Sequence, residues 1–223
     1  MAFENDLIRV EIDPTTGGFT SIFDKGVCRE CLEPDSAPML FRIMIPEGGR
    51  IYSHFDSENG EAFFENGNAR IRYHNAQFDA EVHFVLDGAG IIATLQVSNR
   101  GLLSIEEVQF PWVNGLHRLS NDAIVTPSFA QRMILDPLGA GMGGDHRHAE
   151  EYLKKIVFRY PERMASAWCD YSNTDCGLAL EGRHTDFSIM DFFIHKSVRK
   201  SERDVQRSLN FCTAYPVRIK PGE

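Results

Sequence analysis

The sequence predicts an all-β protein, a large antiparallel β-sandwich (supersandwich) with little helix. Short segments alternate apolar and polar residues, as half-buried strands do, and clusters of Gly, Pro, Asn and Asp interrupt them about every 8–12 residues. The length of 223 residues suits one large sandwich. We therefore expect residues 1–223 to form a single domain, which could be a fragment of a longer multidomain protein.

The first half of the chain shows the alternation most clearly. Residues 7–12 and 19–23 are predicted strands on either side of a turn that contains Asp13, Pro14 and two glycines. Asn66-Gly67 is a strong hairpin signal, because both residue types accept a positive φ. Residues 78–86 alternate strictly, so their even-numbered side chains should share one face. Residues 103–112 continue the pattern, with Pro111 expected at a strand end since proline has no N–H to donate.

A late hairpin is predicted from residues 164–171 and 177–182, joined by Ser172-Asn173-Thr174-Asp175. Aromatic and charged side chains concentrate around it. An aromatic face beside charged groups suits a sugar, which has an apolar ring face and a rim of hydroxyls, but the same mixture suits a hairpin that covers a core. The residues concerned are Trp168, Tyr171, Arg183, His184 and Asp186.

Residues 137–148 are rich in glycine and lose the alternation, which is typical of a functional or mobile loop. His146 and His148 stand two residues apart in it. On a strand they would face the same way, as in some metal sites of β-sandwiches, but no third ligand is identifiable. We therefore predict no metal and treat both histidines as candidate contacts of a ligand groove, with a polar, solvent-facing loop as the alternative.

The net charge of −9 disfavours a nucleic-acid or anionic membrane surface, so neither is an expected partner. No secretory signal or transmembrane run is visible, which makes the cytoplasm the default location unless the chain is a fragment. The five cysteines are odd in number and sparse, as is typical of reduced thiols. Cys28 and Cys31 form a lone CxxC motif. Cys169 and Cys176 flank the hairpin turn, where a disulfide is sterically conceivable.

The sequence shows no nucleophile elbow, phosphate-binding loop, dinucleotide fingerprint or HExxH helix. Paired carboxylates such as Glu106 and Glu107 occur, but sequence spacing does not show whether they flank a scissile bond. We therefore assign no catalytic residue and no cofactor.

Four stretches together resemble the galactose mutarotase-like β-supersandwich found before the catalytic barrel of bacterial glycoside hydrolase-like proteins. They are ENDLIRVEIDPTTGGFTSIFDK, IEEVQFPWVNGL, the pair YPERMASAWCDY and GLALEGRHTD, and YPVRIKPGE. The resemblance implies a noncatalytic, carbohydrate-associated domain that packs against a catalytic barrel in cis or in trans and that could also bind glycan. The candidate glycan contacts are His146, His148, Trp168, Tyr171, Arg183, His184 and Asp186.

Two other functions stay open. Aldose epimerases of this fold use histidines and a carboxylate as acid and base, and their histidine motif is not evident here, so no catalytic residue is transferred. A free-standing aldose epimerase or mutarotase is nevertheless the first alternative. The second is a purely structural or oligomerisation module, for which an exposed apolar face would be the clue.

Overall fold

The computed structural model describes residues 1–34, 38–48, 51–65, 68–117, 119–127, 132–137, 154–162, 164–183, 190–196 and 209–223. These residues form eighteen β-strands in four antiparallel sheets, which confirms the predicted all-β sandwich. None of them forms a helix with the length and apolar character needed to cross a membrane.

The first sheet follows chain order and consists of β1 (Ala2–Glu4), β2 (Ile8–Ile12), β3 (Phe19–Asp24) and β4 (Arg29–Glu30). The predicted turn between β2 and β3 is confirmed. The Asp13 carboxylate accepts hydrogen bonds from the backbone N–H groups of Thr15 and Thr16, at 2.9 and 2.7 Å. This side-chain cap fixes the turn that brings the two strands together.

The second sheet is the predicted meander, with β7 (Glu61–Glu65), β8 (Asn68–His74), β9 (Phe78–Asp87) and β10 (Gly90–Asn99) in consecutive order. In β9, Ala80, Val82 and Phe84 are buried on one face, as the alternation predicts. β10 is an edge strand among the described residues, since it pairs with β9 alone.

The third sheet has six strands and is assembled from distant parts of the chain. Its strands are β5 (Arg42–Gly48), β6 (Ile51–Asp56), β11 (Ile105–Leu116), β14 (Lys154–Tyr160), β17 (Met190–Lys196) and β18 (Leu209–Ile219), in the order β14-β17-β18-β11-β5-β6. β11 is therefore a central strand, hydrogen-bonded to β18 on one side and to β5 on the other.

The expectation that Pro111 ends a strand is wrong. β11 continues through Pro111 to Leu116, and its register with β18 shifts between Gln109 and Trp112. A proline within a central strand is tolerated where the ladder is irregular, because its missing N–H then interrupts no regular hydrogen bond. The N–H of Trp112 donates to the carbonyl of Leu40, which precedes β5, at 2.8 Å.

The fourth sheet has the order β13-β12-β15-β16, with β12 (Ala123–Thr126), β13 (Arg132–Leu135), β15 (Trp168–Ser172) and β16 (Gly177–Glu181). β15 and β16 are the predicted late hairpin, although β15 begins at Trp168 instead of residue 164. The Asn173 side chain caps the turn by accepting the N–H groups of Asp175 and Cys176. β16 pairs with β15 alone among the described strands, so it is a second edge strand.

Apolar side chains from all four sheets merge into one core cluster. Aromatic rings join its parts, with Phe41 edge-on to Tyr73 at 4.8 Å between centroids and to Phe78 at 6.1 Å.

Tyr171 brings a polar group into this core. Its side chain is 2% exposed, and its hydroxyl donates to the Asp122 carboxylate at 2.6 Å and accepts the Leu119 N–H at 3.1 Å. Burial of this hydroxyl is favourable because both bonds are made inside the protein.

Replacing Gly17 with alanine should destabilise the protein strongly. Gly17 has φ +70°, and a Cβ there would lie 2.3 Å from the Tyr73 hydroxyl and 2.9 Å from Leu40 Cδ2. We expect Gly17→Ala to lower the free energy of unfolding, measured in urea, by about 3 kcal/mol or more. Gly88→Ala is the matched control, because Gly88 also has a positive φ but open space around it. It should cost only about 1 kcal/mol, and equal losses in the two variants would contradict the packing argument.

Removing the Tyr171 hydroxyl should also be costly. Tyr171→Phe leaves the buried Asp122 carboxylate and the Leu119 N–H without this partner, so we expect a loss of about 2 kcal/mol in urea unfolding. Tyr52→Phe removes an exposed hydroxyl that donates to Glu106 at 3.0 Å, and it should change stability by less than about 0.5 kcal/mol. A Tyr171→Phe protein as stable as the parent would show that the hydroxyl does not support the core.

Candidate functional site

The six-stranded sheet presents a different surface on each face. On its core side, a cleft of about 590 Å³ lies over β11 and β18, between the edge strands β10 and β16. Its floor and walls are mainly aliphatic or aromatic, and its polar groups lie at a few positions. The apolar lining residues include Leu95, Val97, Val108, Phe110, Val217 and Ile219.

The polar groups of this cleft are few. Arg183 Nε lies 3.1 Å from Glu181 Oε2, and both side chains are more than half exposed. An exposed ion pair of this kind contributes little to stability. Tyr215 is more deeply placed, and burial raises the pKa of its hydroxyl to about 12. The cleft is therefore amphipathic, with apolar strand residues beside a few charged and hydroxyl groups.

A polar cluster lies on the opposite face of the same sheet. Residues directly paired across neighbouring strands share a face, and the ladder places Asp56, Arg42, Gln109 and Ala214 in one row across β6, β5, β11 and β18. Arg42 and Asp56 form a two-pronged ion pair, with Arg42 Nε 2.6 Å from Oδ1 and Nη2 2.8 Å from Oδ2. Both side chains are 26% exposed, so the pair is shielded but reachable from solvent.

The Arg42 guanidinium also lies over the Trp112 ring, 5.7 Å from its centroid. Trp112 itself is buried and packs with Cys212, Ala214 and the partly buried Met39, in a small apolar cluster separate from the main core. The hydrogen bonds to Asp56 raise the pKa of Arg42 against the opposing effect of burial. Arg42 is thus a fixed cation, oriented by a carboxylate and by the face of an indole.

Amide and carboxylate groups continue this surface along β11. Gln109 Nε2 donates to Glu107 Oε1 at 2.6 Å. On β5, Met44 is paired with Glu107 on one side. On its other side Met44 is paired with His54 of β6, which is exposed. The surface defined by Arg42, Asp56, Glu107, Gln109 and Trp112 is called the Arg42 face below. It combines a guanidinium, an amide and two carboxylates within one patch of the sheet.

Other histidine–carboxylate pairs lie elsewhere on the described surface. His117 Nδ1 is 2.8 Å from Glu33 Oε1, beyond the end of β11. His83 contacts Glu81 on the outer side of the second sheet. Hydrogen bonds from Arg72 and His83 hold the pKa of Glu81 below its usual range. In this second pair the side chains of His83 and Glu81 are 37% and 24% exposed, and Glu81 is also paired with Arg72, so we regard the pair as part of an ion-pair network on the sheet surface.

The predicted site residues separate into three groups. Trp168 is half-buried and is paired in register with Glu181, which holds Arg183, so these residues lie near one another on the hairpin beside the cleft. Tyr171 has its side chain in the core, where its hydroxyl is already bonded, and it serves packing there. The remaining predicted contacts lie outside the described residues: His146, His148, His184 and Asp186.

Sequence reasoning missed the Arg42 face. Arg42 stands inside the apolar run at residues 40–45, where a lone charge in a predicted strand was the available signal. The sequence contained no sign of the partner of Arg42, because residues 51–56 were not predicted as a strand and Asp56 was therefore not placed beside it. Among the residues that the structure describes, no group of three or more His, Cys, Asp or Glu side chains is arranged to hold a metal ion.

The disulfide that the sequence left conceivable between Cys169 and Cys176 is not formed. Cys169 is paired with Leu180 in the ladder and is buried, whereas Cys176 belongs to the turn that Asn173 caps. The two cysteines are therefore not opposite one another, and all five cysteines are free thiols.

Comparison with known proteins identifies the fold. No protein-family model and no curated protein sequence matches the chain. A galactose mutarotase related enzyme from Lactobacillus acidophilus matches with a TM-score of 0.63 at 12% identity, over 100% of this chain and 93% of that one. A galactose mutarotase-like protein from Lactobacillus casei matches with a TM-score of 0.58 at 12% identity, over 100% and 96%.

A third match is to a longer protein. The chain aligns over 99% of its length with 44% of a TPR-domain containing protein from Parabacteroides distasonis, with a TM-score of 0.54 and 13% identity. At such identities the likeness concerns the backbone alone. The chain therefore has the galactose mutarotase-like fold.

Proposed function

We propose that this chain is a carbohydrate-binding β-sandwich and that its sugar site is the Arg42 face. The observation that carries the proposal is the Arg42 guanidinium, fixed by Asp56 and Trp112 beside the Gln109–Glu107 pair. A sugar offers hydroxyls that both donate and accept hydrogen bonds. The Arg42 face supplies donors from the guanidinium and amide and acceptors from the carboxylates.

Preorganisation favours this surface over the core-side cleft. The Asp56 pair and the indole restrict Arg42 to one position, so little side-chain entropy is lost when its other N–H groups bind a ligand. The partial burial of Arg42 and Asp56 strengthens each hydrogen bond by lowering the local dielectric. In the cleft between β10 and β16 the charged pair of Arg183 and Glu181 is more exposed, with side chains 63% and 53% accessible to solvent.

The proposed setting is an accessory role, in which the domain packs beside the catalytic barrel of a glycoside hydrolase-like protein without supplying the catalytic residues. In support, the same fold forms less than half of the longer Parabacteroides distasonis chain, so it occurs beside other domains. In this setting the Arg42 face would bind a glycan next to the barrel.

A free-standing aldose epimerase or mutarotase is the second candidate. The two Lactobacillus proteins, whose names refer to galactose mutarotase, are matched over more than nine-tenths of their own length. The Arg42 face also has an acid–base pair at its edge. His54 and Glu107 lie in one row of the ladder on either side of Met44, about 10 Å apart, so a sugar ring lying over Met44 would contact both.

Arginine-to-lysine substitution should test the sugar site without removing its charge. Lysine at position 42 cannot form the two-pronged bond to Asp56 or present a planar group to Trp112. We expect Arg42→Lys to weaken binding of the best-bound sugar, found by screening a glycan array and measured by titration calorimetry, by roughly tenfold or more.

Arg183→Gln is the matched control, since Arg183 lines the cleft instead of the Arg42 face. It should leave the affinity within about twofold, and circular dichroism should show that both variants are folded. Loss of binding in Arg183→Gln with full binding in Arg42→Lys would assign the glycan to the cleft side. Absence of binding to every sugar on the array would remove the proposed function.

The enzyme candidate predicts faster mutarotation. Polarimetry of freshly dissolved α-D-glucose and α-D-galactose should show a rate that rises with protein concentration, and both His54→Gln and Glu107→Gln should lower that rate by roughly 100-fold. His83→Gln, on the outer side of the second sheet, should have no effect. A rate equal to that of buffer with both sugars would contradict the enzyme candidate for these substrates and would favour the accessory role.

A further inference from the structure

An arginine contacts a thiol where the first sheet meets the late hairpin. Arg29 Nη1 lies 3.1 Å from Cys176 Sγ, although the two residues are 147 positions apart in the chain. Arg29 belongs to β4, and Cys176 ends the turn between β15 and β16. Both side chains are half-buried. Reactive cysteines are found in electropositive, partly exposed surroundings, and a guanidinium in contact with the sulfur supplies such surroundings.

A second thiol belongs to the chain segment that carries Arg29. Cys31 follows Arg29 by two residues and continues the strand ladder through its N–H bond to the Ile22 carbonyl, so the two side chains share a face. Cys31 and Cys176 pack partly buried against the same core cluster. Burial raises the pKa of Cys31 to about 11, and the neighbouring carboxylates of Glu30 and Asp24 act in the same direction.

Hydrogen bonds hold the two cysteine segments against one common piece of chain. The Cys31 carbonyl accepts the N–H of His117 at 2.9 Å, and the Asn173 amide donates to the Ser120 carbonyl at 3.0 Å. The Asn173 carbonyl oxygen in turn accepts the N–H of Cys176 at 3.0 Å. The two cysteine segments are therefore both held by hydrogen bonds to the residues that follow β11.

We propose that Cys176 is an oxidation site for hydroperoxides and that Cys31 is the thiol that resolves the oxidised sulfur into a disulfide. The Cys176 thiolate attacks one peroxide oxygen, the O–O bond breaks, and a sulfenic acid and hydroxide or alkoxide form. The Cys31 thiol then attacks the sulfenic sulfur, and the S–O bond breaks with release of water. Two thiols and hydrogen peroxide thus become one disulfide and two water molecules.

The order of events follows from the surroundings of each sulfur. Arg29 contacts Cys176, so Cys176 is the nucleophile toward peroxide. Cys31, whose pKa is raised by burial, stays protonated until the sulfenic acid has formed. The new bond would join the first sheet to the late hairpin. Cys28 shares the CxxC motif but is exposed in a turn with φ 51°, where its thiol contacts the Lys25 carbonyl.

The test is treatment of the full chain with hydrogen peroxide, followed by peptide mapping under nonreducing conditions. We expect a linked pair of peptides containing Cys31 and Cys176, and a protein mass lower by two hydrogen atoms, both reversed by dithiothreitol. Cys31→Ser should accumulate the sulfenic acid of Cys176, detectable with dimedone, and Cys28→Ser should form the same link as the parent. A link between Cys28 and Cys31, or a protein that forms no intramolecular link, would overturn the proposal.

The role of Arg29 has its own readout. Arg29→Gln should slow dimedone trapping of Cys176 in the Cys31→Ser background by roughly tenfold, because the thiolate loses its cation. Arg218→Gln, which removes an exposed arginine from β18, should leave the rate unchanged. Circular dichroism of each variant separates loss of reactivity from loss of folding. An unchanged trapping rate in folded Arg29→Gln would show that the contact does not activate the thiol.

Discussion

The pairing of β11 with both β18 and β5 is the constraint on which the two faces of the six-stranded sheet depend. Because side chains alternate along a strand, one register sends Val108 into the core and Gln109 to the opposite side. A slip of one residue would exchange these faces and separate Gln109 from its neighbours Arg42 and Ala214. The same pairing therefore secures the hydrophobic core and aligns the polar groups of the proposed sugar site.

The two faces differ in how they use buried polarity. In the core, the Tyr171 hydroxyl is placed between Asp122 and Leu119, where each bond replaces one that water would have made. On the Arg42 face, the pair formed with Asp56 stays partly exposed, so its charges are available to a ligand. The Tyr171 hydroxyl and the Arg42–Asp56 pair thus differ in burial, and it is the pair that remains open to solvent.

The Arg29–Cys176 contact shows how the fold brings remote segments of the chain together. The hydrogen bonds around His117 and Ser120 hold β4 and the late hairpin against the same stretch of chain. The proposed glycan site and the proposed oxidisable thiol pair are compatible on one scaffold, because they lie on different elements and share no side chain.

The sequence by itself determined the all-β class, the meander and the late hairpin, since alternation and turn residues such as Asn173 act over a few positions. It did not place Tyr171, because an aromatic residue with a polar tip suits a core and a sugar platform equally well. It also did not find Arg42 and Asp56, because β6 lacked a clear alternating pattern. Only the tertiary structure decided these positions, since the register of strands distant in the chain is set by the packing of the whole sheet.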